Sequence, residues 1–366
     1  MFPALFAQAE NSDTLNWEDK RLEWSDFQGV PVDYSPLHSE LHSTIGYSGQ
    51  TCFIEDTRVT TLISYCTMNR STSWVKAGSR DDQYLIYNQI QFDLGELYSR
   101  KLQNQLFLLL NEKNNRPIQA FGLLLEINLE CQQRIDQLIE QTNYGNDSAA
   151  VKLWAEVIAQ ELEQTPRQKI PEFKNKKFAV GGSFDLGGGI LTPELNKYFS
   201  NYLSLTYGVD IGYRSLIFNL LANLGFNSVK KEFEYKNKLW PEKLSAGLIS
   251  ADLAMGYPLL ETKKSRVTPF AGLSYLQFYV PGNQKKYEDH RLDNFACVLG
   301  LNYDYKISTT INLMGSANEK NDWFIRTRVY ISVVNFDDQF KGALINFTVG
   351  FGGWVRFLKI QSPAGH

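Results

Sequence analysis

At 366 residues the chain is long enough for two domains of ordinary size, and its 37 basic against 40 acidic residues leave a formal net charge of −3. That balance excludes an electrostatic case for nucleic-acid binding or for a strongly acidic or basic partner. Aromatic residues crowd the second half together with Gly and alternating residues, whereas residues 84–165 are rich in Leu, Gln and Glu, which predicts two architectures in one chain.

Residues 1–9, MFPALFAQA, end in Ala7-Gln8-Ala9, the small-x-small cleavage pattern of secretory signals, after a short apolar stretch. The basic n-region and most of the apolar h-region are missing, so the segment is read as a residual signal peptide, with Glu10 starting the mature chain. No run of 18 apolar residues occurs, so no transmembrane helix is predicted. That leaves a barrel open, because barrel strands escape hydropathy scans.

Asp19–Val32 is a short apolar-anchored segment with a Gly turn. In SPLHSELHS, His38 and His42 would share a face on a helix and could hold a metal; Pro36 and the Ser-rich flanks favour a loop instead. Strands are predicted at Thr51–Glu55 and Arg58–Met68, with Trp74-Val75 closing the section. Cys52 and Cys66 fall on these neighbouring strands, where a disulfide in an oxidising compartment and two free buried thiols are both open. Cys131 and Cys297 complete a set whose spacings match no zinc ribbon.

Helical periodicity runs from Asp82 to about Asn111, from about 118 to 140, and from Ala149 to about Glu163. Residues 84–101, YLIYNQIQFDLGELYSRK, read like a zincin helix whose metal chemistry has been removed. Such a helix carries two histidines four apart, both on one face, with a glutamate after the first to activate metal-bound water. Tyr87 and Gln91 stand at the ligand positions and Asn88 at the base position. A neutral amide cannot take a proton from water, and Tyr and Gln are poor zinc ligands.

EWSDFQGVP, SWV, QIQFDLGELYSRKL and LIEQTNYGN…LWAEVIAQEL together resemble the DUF922-type secreted zinc-peptidase domain over roughly residues 15–165. Gln89, Phe92, Asp93, Glu96, Leu97, Arg100 and Leu102 fall in step with that family's helix. The resemblance also implies a third histidine ligand in the following turn, where this chain has Tyr144. All three ligands and the base are replaced together, so the resemblance implies an α+β domain, strands then helices, kept as a scaffold. It is read as a non-enzyme, with no metal or other cofactor.

PRQKIPEFKNKK, basic and Pro-bearing, is the expected linker, with residues 10–166 before it and a barrel over 178–358 after it. Alternation is then strong. In Tyr202–Arg214 the odd positions are apolar and the even ones small or polar, the signature of a transmembrane β-strand. The pattern recurs in Phe178–Ile190, Leu216–Phe226, Leu244–Tyr257, Val267–Tyr279, Phe295–Ile307, Trp323–Val334 and Ala343–Phe357. This predicts an all-β antiparallel transmembrane barrel of eight strands, each long enough to span a bilayer at ~9–11 residues. An even count puts both barrel ends in the periplasm. Tyr213, Tyr257, Tyr305, Trp323 and Phe357 then form an aromatic girdle at periplasmic strand ends. Phe357 also resembles the C-terminal assembly signal of such barrels, although the tail 359–366 follows it. Ser308–Asp322 fits neither a tight turn nor the strand parity and is read as an extension or a loop.

Inward parity collects Asp185, Asp210, Asp304, Arg326, Arg328 and Arg356, opposite charges that should pair and plug a lumen only wide enough for side chains. The expected protein is therefore an outer-membrane protein embedded in lipid, and its DUF922-like domain joined to such a barrel resembles the Bacteroidota type. Its inactive peptidase-like domain would bind a ligand or a protein partner in the periplasm, as an accessory subunit of an envelope complex; the alternatives are a metallopeptidase using His38 and His42, or a small-solute outer-membrane channel.

Overall fold

The computed structural model describes residues 13–110, 116–168, 170–282, 285–314 and 317–361. The expected signal segment 1–9 and the end of the tail lie outside the described residues.

The first half builds a small sheet against three helices. Strands β3 (Ser43–Ile54) and β4 (Thr57–Asn69) form an antiparallel hairpin, and β1 (Thr14–Asn16) pairs with the far end of β4. The short β2 (Ser39–Glu40) and β5 (Trp74–Val75) pair separately. The hairpin register decides the cysteine question. Cys52 lies opposite Val59 and Cys66 opposite Ile45, and both thiols are free. At ~3.4 Å per residue they stand far beyond the ~7 Å Cα limit of a disulfide.

Helix α1 (Asp82–Leu109) starts where the Asp81 carboxylate accepts from the Tyr84 N–H at 3.0 Å. Helix α2 (Arg116–Gln141) returns along it, and α3 (Ser148–Gln164) is capped by Asp147, which accepts from Ala149 and Ala150. Leu94, Leu97, Leu102 and Leu106 of α1 close on Ile127, Leu138, Val151 and Ile158 to form this core. Between α2 and α3, Asn143, Tyr144 and Gly145 all have positive φ (48°, 57° and 83°). A Cβ at Gly145 would lie 2.9 Å from the Tyr87 ring, so glycine is required there on two counts.

Of the described residues 51 % are β, and most of that is one ring of eight strands. They are β6 (Phe173–Leu191), β7 (Tyr202–Tyr213), β8 (Leu216–Ser228), β11 (Ser245–Gly256), β13 (Ser265–Tyr279), β14 (Arg291–Asn312), β15 (Glu319–Asn335) and β16 (Lys341–Ile360). Each pairs antiparallel with the next, and β16 closes on β6. Closure leaves the ring itself without a free edge strand. Outward positions such as Leu203, Phe218, Leu253, Phe295 and Phe347 are exposed and apolar, while their even or odd neighbours are buried inside.

The two ends of the ring differ. At one end the connections are short turns, with the strand fragment β12 (Leu260–Glu261) beside β13. At the other, the connections fold into a cap containing α4 (Pro193–Asn196) and the hairpin β9 (Phe233–Tyr235) with β10 (Lys238–Trp240). Phe199, Phe233, Trp240, Phe278 and Phe340 pack there with ring centroids 4.3–5.8 Å apart. These stretches carry the largest apolar core of the molecule among the described residues.

Strand lengths also depart from expectation. β6 begins at Phe173, inside the expected linker, and β16 runs to Ile360. β14 and β15 extend through most of the ambiguous Ser308–Asp322 segment, and the register slips between Lys306 and Ser308. This extension reaches the first half of the chain. Thr309–Asn312 of β14 pairs in parallel with Thr57–Thr60 of β4. Val59, Phe107, Leu110, Ile311, Leu313, Leu358 and Ile360 bury one another at the junction, and Asn318 Nδ2 donates to the Leu110 carbonyl at 2.5 Å.

Candidate functional site

Two places gather the residues singled out from the sequence: a cleft beside α1 and the barrel interior. The cleft, about 350 Å³, is lined by Tyr87 and Gln91 of α1, by Glu40 and His42, and by Asn128 and Cys131 of α2. Tyr87 is buried; its phenol is pushed up to about 12 by that burial, with Tyr144 beside it adding to the effect. Asn88 is fully buried, its Nδ2 donating at 2.7 Å to Ser39 Oγ and to the Tyr84 carbonyl. Tyr144 is half exposed in the left-handed turn. The Cys131 thiol is likewise pushed up to about 12 by burial, which keeps it protonated and unreactive.

His38 and His42 flank the β2 strand on extended chain, so the shared helical face considered for them does not exist. His38 stacks on Tyr84 at 4.5 Å and contacts Ser79 Oγ through Nδ1. His42 Nε2 lies 3.4 Å from Glu40 Oε1. Among the described residues no three His, Cys, Asp or Glu side chains converge as a metal-ligand group.

The helix residues that carry the family resemblance bind the scaffold together. Asp93 accepts from Trp17 Nε1 and Gln89 Nε2 at 2.7 Å each, and Gln89 Oε1 accepts from the Leu22 N–H. Buried Glu96 accepts from Arg100 Nε at 2.7 Å and from Arg167 at 2.7 and 3.0 Å. Arg167 also donates to the Ser64 carbonyl, which ties the chain leading into the barrel back onto the hairpin.

Inside the ring the inward charges form a ladder. Asp304 receives Arg266 (2.6 and 3.0 Å) and Arg326 (2.6 and 3.1 Å). Arg326 reaches across to Asp210 at 2.7 Å. Arg328 donates to Asp185 and to Asn302 Oδ1, each at 2.8 Å. Gly350 leaves room for Asp185, whose Oδ1 would lie 2.1 Å from a Cβ at that position. Asp252 accepts from Asn223 Nδ2 and Ser274 Oγ. Below the ladder, Arg266 and Arg326 cover Trp354 and Phe324 at 4.6 and 4.8 Å; above it the aromatic cap begins. Arg356 stands apart from its expected place in the interior: it is half-buried beside a bulge, opposite Lys320. Arg266 and Asp252 were not among the residues expected to line the lumen. Arg266 lies one residue before the expected strand, whereas Asp252 sat on a readable inward parity.

Tyr213, Tyr257, Tyr305 and Trp323 are exposed on the outer surface near the short-turn end, and Trp323 stacks on Phe351 at 5.4 Å. Phe357 is half-buried at the bulge, opposite Glu319.

No protein-family model matches the chain, and no curated protein matches it. Solved structures similar to it include Ail of Yersinia pestis (6 % identity, 50 % of this chain and 97 % of that one, TM-score 0.27). Neisserial surface protein A is similar at 12 % identity, over 50 % of this chain and 99 % of that one, with TM-score 0.28. The N-terminal β-barrel domain of Pseudomonas aeruginosa OprF is similar at 13 % identity, over 51 % and 100 %, with TM-score 0.25. At such values the nature of the chain rests on its own geometry.

Proposed function

We propose that this is an outer-membrane protein whose barrel is a closed anchor and whose helix-bearing unit offers a non-catalytic binding cleft to the periplasm. The observation that carries the reading is the two-faced ring: apolar outward on every strand, and filled inward by paired arginines and aspartates. In water the outer face would be an apolar band far larger than a soluble surface tolerates; in lipid it is the required surface. Buried ion pairs occupy the lumen where a diffusion pore would need water. The Bacteroidota type rests on the sequence resemblance alone.

Refolded into phosphatidylcholine vesicles, the chain should float with the lipid and give a heat-modifiable band on gels. A chain left in the aqueous fraction would overturn the membrane reading.

For the cleft, Tyr87, Asn88 and Gln91 supply neither ligands nor a base, and the proposed occupant is a peptide, glycan or envelope protein held without cleavage. His42 and Glu40 on the opposite wall give the rival metallopeptidase reading its one foothold. Stoichiometric zinc after purification, lost in a His38→Ala/His42→Ala variant, would replace the proposed reading with that one.

A further inference from the structure

We infer that the outer surface of β16, β6 and β7, just beyond the aromatic ring at the short-turn end, binds the phosphate headgroup of an anionic phospholipid. The inference rests on the membrane reading above and adds a lipid class to it.

Along the outward face of β6 the residues run Leu186, Phe184, Val180, Phe178 and then Lys176 and Lys174, all exposed. On the neighbouring strands the same change occurs: Tyr213 is followed by Arg214 in the β7–β8 turn, and β16 ends its outer face with Lys359. Phe178 and Tyr213 touch across the β6–β7 pair at 5.1 Å, and the Arg214 guanidinium lies 5.6 Å from the Tyr213 ring. An aromatic row with cations directly beyond it is the order of groups that a bilayer presents from its acyl edge to its phosphates.

The register makes two of these cations direct neighbours. Lys174 lies directly opposite Lys359 in the β6–β16 pair. Like charges in that position repel and destabilise a sheet unless something negative lies between them. Among the described residues, none of Lys174, Lys176, Arg214 and Lys359 has a hydrogen bond or ion pair through its side chain. The basic side chains at the adjacent turn behave differently, since Lys263 pairs with Glu55 and Lys306 with Glu261 and Asp322. Carboxylates do lie at this level, Glu172 two residues before Lys174 and Glu319 opposite Phe357, but neither is paired with these cations among the described residues. A phosphate diester at this level would lie between Lys174 and Lys359, with Lys176 and Arg214 along the same rim and an aromatic shelf behind, and its acyl chains would continue along Phe178, Val180 and Phe184.

The test uses the full chain in nanodiscs of mixed phosphatidylcholine and phosphatidylglycerol, with retained lipids counted by native mass spectrometry. Wild type should retain phosphatidylglycerol at least ~5-fold above its bulk share. Lys174→Gln/Lys176→Gln/Lys359→Gln should retain the bulk ratio while still giving the heat-modifiable band; Lys359→Gln alone serves if the triple variant does not insert. Insertion into pure phosphatidylcholine tests the membrane reading by itself. A wild-type chain that inserts but shows no preference would overturn the inference, as would a variant that keeps it. Loss of the preference in excess inorganic phosphate would overturn it too, by marking a free-anion site.

Discussion

Arg328 and Asp185 are both fully buried, 2.8 Å apart, on strands joined through β16. Removing one partner strands the other charge, which costs about 3–5 kcal/mol. Arg328→Met should therefore lower the temperature of the heat-modified gel transition sharply, and Asp185→Asn/Arg328→Met should recover much of the loss. Equal losses in both variants would show that the pair is not the stabilising unit. Tyr87 gives a prediction for the first half. Its phenol is held near 12 against an ordinary value of 10, so folding favours the neutral form. That contribution is complete below pH 10 and is lost as pH rises through 12, amounting to on the order of 2 kcal/mol by pH 11.5. Urea unfolding followed by far-UV circular dichroism at pH 9 and 11.5 should show wild type losing stability relative to Tyr87→Phe. A constant difference between the two would mean that burial does not govern this phenol.

The strands were legible where alternation is clean, because a period of two in apolar residues leaves little else a segment can be. Legibility failed at the two register slips. Beyond the slip at Lys306/Ser308, β14 continues with its parity reversed, so Ser308–Asn312 looks like loop; at the other slip Asn175 to Ala179 of β6 span what Arg356 to Leu358 spans on β16, and the start of β6 reads as linker. The cap was illegible for a different reason. Phe199, Phe233, Trp240 and Phe340 come from separate connections without any period, and their burial exists only once the ring brings them together. The cleft residues could be named from one motif, but their surroundings could not, since Glu40 and His42 reach Tyr87 and Gln91 through tertiary packing. Cys297, on the outer face of β14 opposite Leu273, tests the strand assignment. In vesicles it should resist a charged, water-soluble maleimide and accept a lipid-soluble one. Rapid labelling by the charged reagent would place that face in water.

At the scale of the whole molecule, the ladder and the aromatic cap obstruct the barrel at successive levels. Planar-bilayer recordings should give no stable conductance from wild type, and opening it should require disruption of both. Steady single-channel steps from the intact chain would return the channel reading. The pairing of β4 with β14 has another consequence. The covalent path between the halves runs through residues 165–172, yet Thr57–Thr60 is also sewn to Thr309–Asn312, and the junction core is built from both sides. The molecule is thus joined twice, once by peptide bonds and once by a sheet. A protease site placed near Pro171 and cut in the folded protein should leave two fragments that travel together until denaturant separates them. In an envelope exposed to proteases, such a chain could be nicked and remain one object.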